Sequence, residues 1–177
     1  MTEVDVSEAE QLTIRHATVG DGARIWQIVE DCAVLDKNSC YAYLLLCRDF
    51  SATTLVAAEG DAVLGFVTAY IPPPRPNAVF VWQIGLAASA RRRGIGKRLL
   101  RELLATEACR EVRFLEANVA PSNRASLGLF QSIADELNVE LEQRPDFKSE
   151  DFDASRANSL QHEPENLVRI GPIEERK

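Results

Sequence analysis

The sequence predicts an α/β (α+β) domain, a mixed and mostly antiparallel sheet flanked by helices on both faces. Three observations predict it. Apolar and polar residues alternate with a period of two in several short segments of the first half, separated by turn residues. From residue 96 leucines recur at helical spacing instead. Between the two regimes a strand, a glycine-bearing turn and a helix follow in succession, an order suited to phosphate binding.

Residues 1–11 are polar and acidic without periodicity and are expected to be a flexible tail, as are 174–177; 12–173 form one domain. A first strand is predicted at 12–16. Asp21 then opens a helix with Ile25, Trp26, Ile28 and Val29 on one face. After a polar loop at 35–39, residues 41–50 form a second helix around Leu44-Leu45-Leu46. Three strands follow at 54–59, 63–70 and 79–86. Gly60-Asp61 supplies a tight turn between the first two, and Pro72-Pro73-Pro74-Arg75-Pro76-Asn77, unable to donate to a ladder, a rigid loop between the last two. This half reads as an antiparallel meander. A helix at 96–106, a strand at 112–119 and a helix at 122–138 come next. A short strand at 139–143, an irregular acidic stretch at 145–165 and a last strand at 167–170 complete the chain.

At 177 residues the chain is long enough to bury a continuous core without disulfides or a structural metal. Its formal net charge of −7 argues against a protein that grips phosphodiester backbones, so no nucleic-acid partner is expected. No apolar run approaches the roughly 20 residues of a membrane span. The acidic first ten residues lack the basic and apolar regions of a signal peptide, so a cytoplasmic location is expected. Cys32, Cys40, Cys47 and Cys109 form no C-x-x-C pair and read as free thiols. His162-Glu163 lacks partners for a metal, because His16 is the only other histidine.

The chemistry-bearing turn is Arg91-Arg92-Arg93-Gly94-Ile95-Gly96-Lys97. Its glycines let backbone N–H groups converge, and the helix that follows adds its positive end. Such a nest suits a pyrophosphate, and four surrounding cations suit a further phosphate. A Walker loop is excluded because no G-x-x-x-x-G-K-[ST] is present, and a dinucleotide fingerprint would need three spaced glycines. With the preceding strand at 79–86, and Asn123 opening the helix after the next strand, the turn resembles the GNAT acetyltransferase motif [QR]-x-x-G-x-[GA].

That resemblance implies a GNAT fold with acetyl-CoA as co-substrate, its thioester in a splay between the strands at 79–86 and 112–119. It also implies an oxyanion donor from the Ile84 to Leu86 region, and cofactor contacts from Ile84, Leu86, Arg91, Arg92, Arg93, Gly94, Ile95, Gly96, Lys97 and Asn123. Many members place a tyrosine on the last long helix to protonate the leaving thiolate. Here the matching position is Phe130. A thiolate with a solution pKa of about 8 to 9 can leave with little help.

Longer phrases are similar to one family within that superfamily, the L-2,4-diaminobutyrate acetyltransferases of ectoine synthesis. They include Leu35-Asp36-Lys37-Asn38-Ser39-Cys40-Tyr41-Ala42-Tyr43, Gly65-Phe66-Val67-Thr68-Ala69-Tyr70-Ile71-Pro72-Pro73 and Phe80-Val81-Trp82-Gln83-Ile84-Gly85. Leu115-Glu116-Ala117-Asn118-Val119-Ala120-Pro121-Ser122-Asn123 and His162-Glu163 agree as well. The resemblance implies γ-acetylation of L-2,4-diaminobutyrate and a homodimer.

Such a substrate carries two ammonium groups and a carboxylate, so its pocket needs anionic side chains and donors. Candidates are Asp36, Asn38, Tyr41, Trp82 and Glu163, with Glu163 and Tyr41 the candidate catalytic groups and Glu163 a possible base acting through water. Asp36 read as a helix cap or turn residue, and Trp82 and Tyr41 read as core aromatics, are the bland alternatives. Direct transfer is expected, since no cysteine lies in a recognisable nucleophile motif. Two other functions fit the cofactor turn: a GNAT enzyme acetylating another small amine, and a non-catalytic acyl-CoA-binding sensor.

Overall fold

The computed structural model describes residues 11–152 and 162–174. The expected tails fall almost wholly outside the described residues, as do 153–161 of the acidic stretch.

Strands β1 (Leu12–His16), β2 (Thr54–Glu59), β3 (Ala62–Tyr70) and β4 (Ala78–Leu86) form the antiparallel meander that the alternation predicts. β5 (Phe114–Val119) then joins parallel to β4. The chain returns through β7 (Glu165–Ile170), antiparallel to β5, with β6 (Leu141–Phe147) at the edge, giving the order β1-β2-β3-β4-β5-β7-β6.

Because side chains alternate along a strand, each face acquires its own helices. Val56 and Phe66 meet α1 (Gly22–Glu30) and α2 (Cys40–Asp49) through Ile25, Ile28, Val29 and Tyr43. Leu55, Val67, Val79 and Leu115 meet α3 (Ile95–Ala105) and α4 (Arg124–Leu137) on the other face. The four α3 leucines, 99, 100, 103 and 104, are all buried there, each contributing on the order of 1.5–3 kcal/mol. Entry into α1 is fixed by Asp21, only 6% exposed. Its carboxylate accepts two 2.8 Å bonds from the Arg15 guanidinium and further bonds from the Thr18 N–H and hydroxyl. The Arg15 bonds chiefly, with Thr18, hold its pKa down to about 2. Cys32, Cys40 and Cys47 are free thiols.

The main departure from expectation is β6. The sequence suggested a strand at 139–143 and irregular chain from 145, whereas β6 runs to Phe147 through Pro145. An edge strand tolerates proline because only one of its sides is paired. Every residue of β6 after Leu141 is exposed, so no apolar alternation marks it. β7 likewise begins at Glu165, two residues before the strand predicted at 167–170.

Candidate active site

The β4–β5 ladder runs only from Ala78↔Phe114 to Val81↔Ala117. Beyond it β4 continues paired to β3, and β5 continues to Val119 paired to β7. The two strands therefore part in mid-sheet. A β-bulge accompanies the parting: Thr68 pairs with Gln83 and Ala69 with Val81, so Trp82 is an extra residue on β4. A bulge increases twist and re-aims side chains, which turns the end of β4 away from β5. Between them opens a cleft of about 640 Å³, with Ile84 on one wall, Val119 on the other and Phe130 of α4 among its lining residues.

The amine end of this cleft is assembled from the loop before α2 and the start of β7. The loop is pinned by a hydrogen-bond chain. Buried Tyr43 donates its hydroxyl to Gln83 Oε1 at 2.8 Å, and Gln83 Nε2 donates to the Asp36 carbonyl at 2.8 Å. Asn38 Nδ2 donates to the same carbonyl at 3.3 Å and to the Tyr43 hydroxyl at 3.4 Å. This leaves the Asp36 carboxylate free to face the cleft, its side chain 75% exposed, with Oδ2 3.6 Å from His162 Nε2. The cap reading of Asp36 falls, because Ser39 occupies the N-cap of α2.

Single ligand atoms of Asp36, His162 and Glu165 all lie within 4.8 Å of one another. His162 Nδ1 sits 3.0 Å from the Glu163 carbonyl, which can only accept, so Nδ1 donates there and Nε2 is the ring atom turned to Asp36. Two carboxylates beside an imidazole suit a cation with several protons to donate. Burial pushes the Glu165 carboxyl above its usual range; Asp36 adds to that, while His162 and a bond from Asn118 oppose it. Phe152 stacks on the His162 ring at 3.7 Å between centroids and closes one side.

Past its end, β4 delivers the chain through a short 3₁₀ turn (Ala88–Ala90) to the basic loop, none of whose residues lines the cleft. Gly94, the N-cap of α3, has φ 74°, a left-handed conformation, and Arg92 another at 61°. Successive reversals of this kind turn N–H groups to one side, as an anion nest requires. At Gly94 an added Cβ would meet nothing, so its requirement is conformational, whereas a Cβ on buried Gly96 would stand in ordinary contact with the Leu129 side chain, at 3.4 Å. Among the cations, Arg93 pairs with Glu59 and Lys97 with Glu136 at 2.8 Å. Arg91 and Arg92 are exposed and carry no ion pair among the described residues.

Of the residues expected from the sequence, Asp36, Trp82, Ile84, Asn123 and Glu163 line the cleft. Trp82 is 40% exposed and stacks over Tyr43 at 6.5 Å, so it is not a core aromatic. Asn123 caps α4, its side chain accepting from Ser126 N–H at 3.1 Å. Four expectations need correction. Tyr41 is 65% exposed on the first turn of α2 and does not line the cleft, so the single chain gives it no reacting atom to act on. Asn38 braces the loop through Tyr43 rather than facing the cleft. Leu86 packs against the core instead of lining it. Glu163 has both carboxylate oxygens bonded to Ser122, to its N–H at 3.0 Å and to its hydroxyl. The carboxylate missed in the sequence is Glu165, two residues on, and Gln83 was missed as well; Tyr43, which the sequence sets near Asp36, holds its loop through Gln83.

Residues 23–134 match the model of the acetyltransferase (GNAT) family. The chain is 43% identical over 162 residues to the L-2,4-diaminobutyric acid acetyltransferase of Shouchella clausii, covering 92% of this chain and 88% of that one. This chain belongs to the L-2,4-diaminobutyric acid acetyltransferases of the GNAT family. The Halalkalibacterium halodurans member is 42% identical over 162 residues, covering 92% and 82% of the two chains. A solved structure of the same family, the diaminobutyrate acetyltransferase EctA from Paenibacillus lautus in complex with L-2,4-diaminobutyric acid and coenzyme A, matches with a TM-score of 0.87. It is 36% identical, over 95% of this chain and 99% of that one. The sheet and four helices of this diaminobutyrate acetyltransferase are thus the GNAT fold that its basic loop implied.

Proposed function

We propose that this protein transfers the acetyl group of acetyl-CoA to the γ-amine of L-2,4-diaminobutyrate, a step of synthesis of the osmoprotectant ectoine. The observation that carries this reading is the convergence of Asp36, His162 and Glu165 at one end of the cleft that β4 and β5 open in mid-sheet. Acetyl-CoA lies with its phosphates at the 91–97 loop and its thioester between Ile84 and Asn123. Asp36 and Glu165 hold the α-ammonium as a charge-assisted pair, which keeps it protonated and non-nucleophilic. Trp82 shapes the pocket, and the γ-amine faces the thioester.

The γ-amine attacks as the neutral form, since an ammonium has no lone pair, and loses its proton to water or a carboxylate. As the N–C bond forms, the carbonyl oxygen becomes an oxyanion, stabilised by backbone N–H in the Ile84 to Leu86 region, where β4 is unpaired on its β5 side. The C–S bond then breaks and the thiolate of coenzyme A departs, taking its proton from solvent. Phe130 supplies no acid to it. No helix among the described residues is long and apolar enough to cross a membrane. The cytoplasm is the proposed location and a homodimer the proposed assembly, to which exposed Val34 and Tyr41 would offer apolar surface.

Steady-state kinetics of Asp36→Ala test the pocket. The variant is expected to lose about a hundredfold in kcat/KM for diaminobutyrate, on the order of 3 kcal/mol, with the KM for acetyl-CoA nearly unchanged. A raised acetyl-CoA KM with unaltered diaminobutyrate kinetics would put Asp36 outside the amine pocket.

A further inference from the structure

The ladder between β5 and β7 ends at Val119↔Asn166, so it does not hold the residues before Asn166, among them His162 and Glu165 of the amine pocket. On its other side this segment pairs with the edge strand through Phe147↔Glu165. Asn118 bonds Glu165 and Phe152 stacks on His162, and the tie from this segment to the start of α4 is Glu163. One carboxylate oxygen accepts the Ser122 N–H at 3.0 Å and the other accepts the Ser122 hydroxyl, while the Glu163 carbonyl accepts from His162 Nδ1. Ser122 is itself fixed, because the next residue, Asn123, caps α4. Ser122, Asn123 and Ser126 all line the cleft.

We propose that Glu163 is a positioning residue: through Ser122 it sets the segment carrying His162 and Glu165 at a fixed distance from the N-terminal end of α4. It thereby places the amine pocket relative to the thioester. The proposal rests on the acetyl-transfer reading above but gives Glu163 no contact with the substrate. Its chemistry fits that role, since a carboxylate whose two oxygens already take both donors of one serine is held in place on the protein rather than waiting for a ligand. Displacing a substrate-holding group by even 1 Å can cost a hundredfold in rate, so the tie has kinetic weight without touching a reacting atom.

The test is a double-mutant cycle of Glu163→Ala and Ser122→Ala, with Glu163→Gln beside it, in steady-state assays with acetyl-CoA and L-2,4-diaminobutyrate. Glu163→Ala is expected to raise the diaminobutyrate KM by about tenfold or more while the acetyl-CoA KM stays within about twofold. Adding Ser122→Ala should cost much less than its effect alone predicts, and Glu163→Gln, which keeps one oxygen acceptor, should recover part of the loss. Losses that multiply independently, or a silent Ser122→Ala beside a crippled Glu163→Ala, would make Glu163 a direct substrate contact and overturn the proposal. A second measurement needs no amine at all: in unliganded protein, backbone amides of 165–167 should exchange hydrogen faster in Glu163→Ala than in wild type. Unchanged exchange overturns the tie whatever amine the enzyme acetylates, whereas a wild-type protein inactive on diaminobutyrate would sink the proposed function and leave the tie to be judged by exchange.

Discussion

Glu165 and Glu163 are two residues apart in an acidic stretch and cannot be ranked from sequence, because what separates them is burial and partners. Glu163 is satisfied by Ser122; Glu165 stands half-buried beside Asp36 and His162, with its carboxyl pushed up chiefly by loss of water. A raised pKa keeps Glu165 protonated at pH values where an ordinary glutamate, near about 4.3, would be ionised. Below that raised value the substrate ammonium loses one of its two carboxylates, so kcat/KM falls as pH falls. The γ-amine, with a pKa of about 10 like a lysine side chain, already gives log kcat/KM a unit slope against pH. The profile is therefore expected to steepen toward a slope of two on the acid side, at a pH above the usual glutamate range. In Glu165→Gln the extra slope should vanish along with most of the affinity for diaminobutyrate; a steepening that survives in Glu165→Gln would assign that proton to another group. Asp36, by contrast, stands out in the sequence as a cleft candidate, because it sits in a polar loop shortly before Tyr41 and Tyr43 within a long family phrase. Tyr41 belonged to the same phrase, and only the helical turn of α2, which buries Tyr43 and exposes Tyr41, separates their roles.

Among the elements, those with a face to bury were legible. β2, β3 and β4 alternate, α3 repeats leucines at helical spacing, and their predicted limits differ from the observed ones by a residue at most. β6 was not, because an exposed edge strand carrying Pro145 has neither alternation nor β-branched residues to mark it. The bulge at Trp82 and the parting of β4 from β5 have no local signature either, being properties of how strands pair. The basic loop was visible as a motif, but the left-handed backbone that requires Gly94 came from geometry. Gly94→Val should cost about 1–2 kcal/mol in a left-handed position, lowering Tm by roughly 2–8 °C, and should raise the acetyl-CoA KM by about tenfold with diaminobutyrate binding little changed. Gly94→Asn, which tolerates that conformation, should recover most of both losses. A folded Gly94→Val protein with unaltered acetyl-CoA KM would remove the loop from the cofactor site.

At the scale of the molecule, the fold separates charge between the loop after β4 and the cleft. The chain is acidic overall at −7, yet among the described residues it keeps Arg91 and Arg92 without an ion pair beside the nest after β4 and gathers Asp36 with His162 and Glu165 near the start of β7. An anionic cofactor and a cationic amine are thereby drawn to separate places, and the thioester and the attacking nitrogen must meet where the strands part. The most direct test is to incubate the enzyme with acetyl-CoA and L-2,4-diaminobutyrate and to assign the acetylated nitrogen of the product by NMR. The acetyl group is expected on the γ-nitrogen with the α-amine free; acetylation of the α-nitrogen, or no acetylated diaminobutyrate at all, would contradict the orientation that these carboxylates impose.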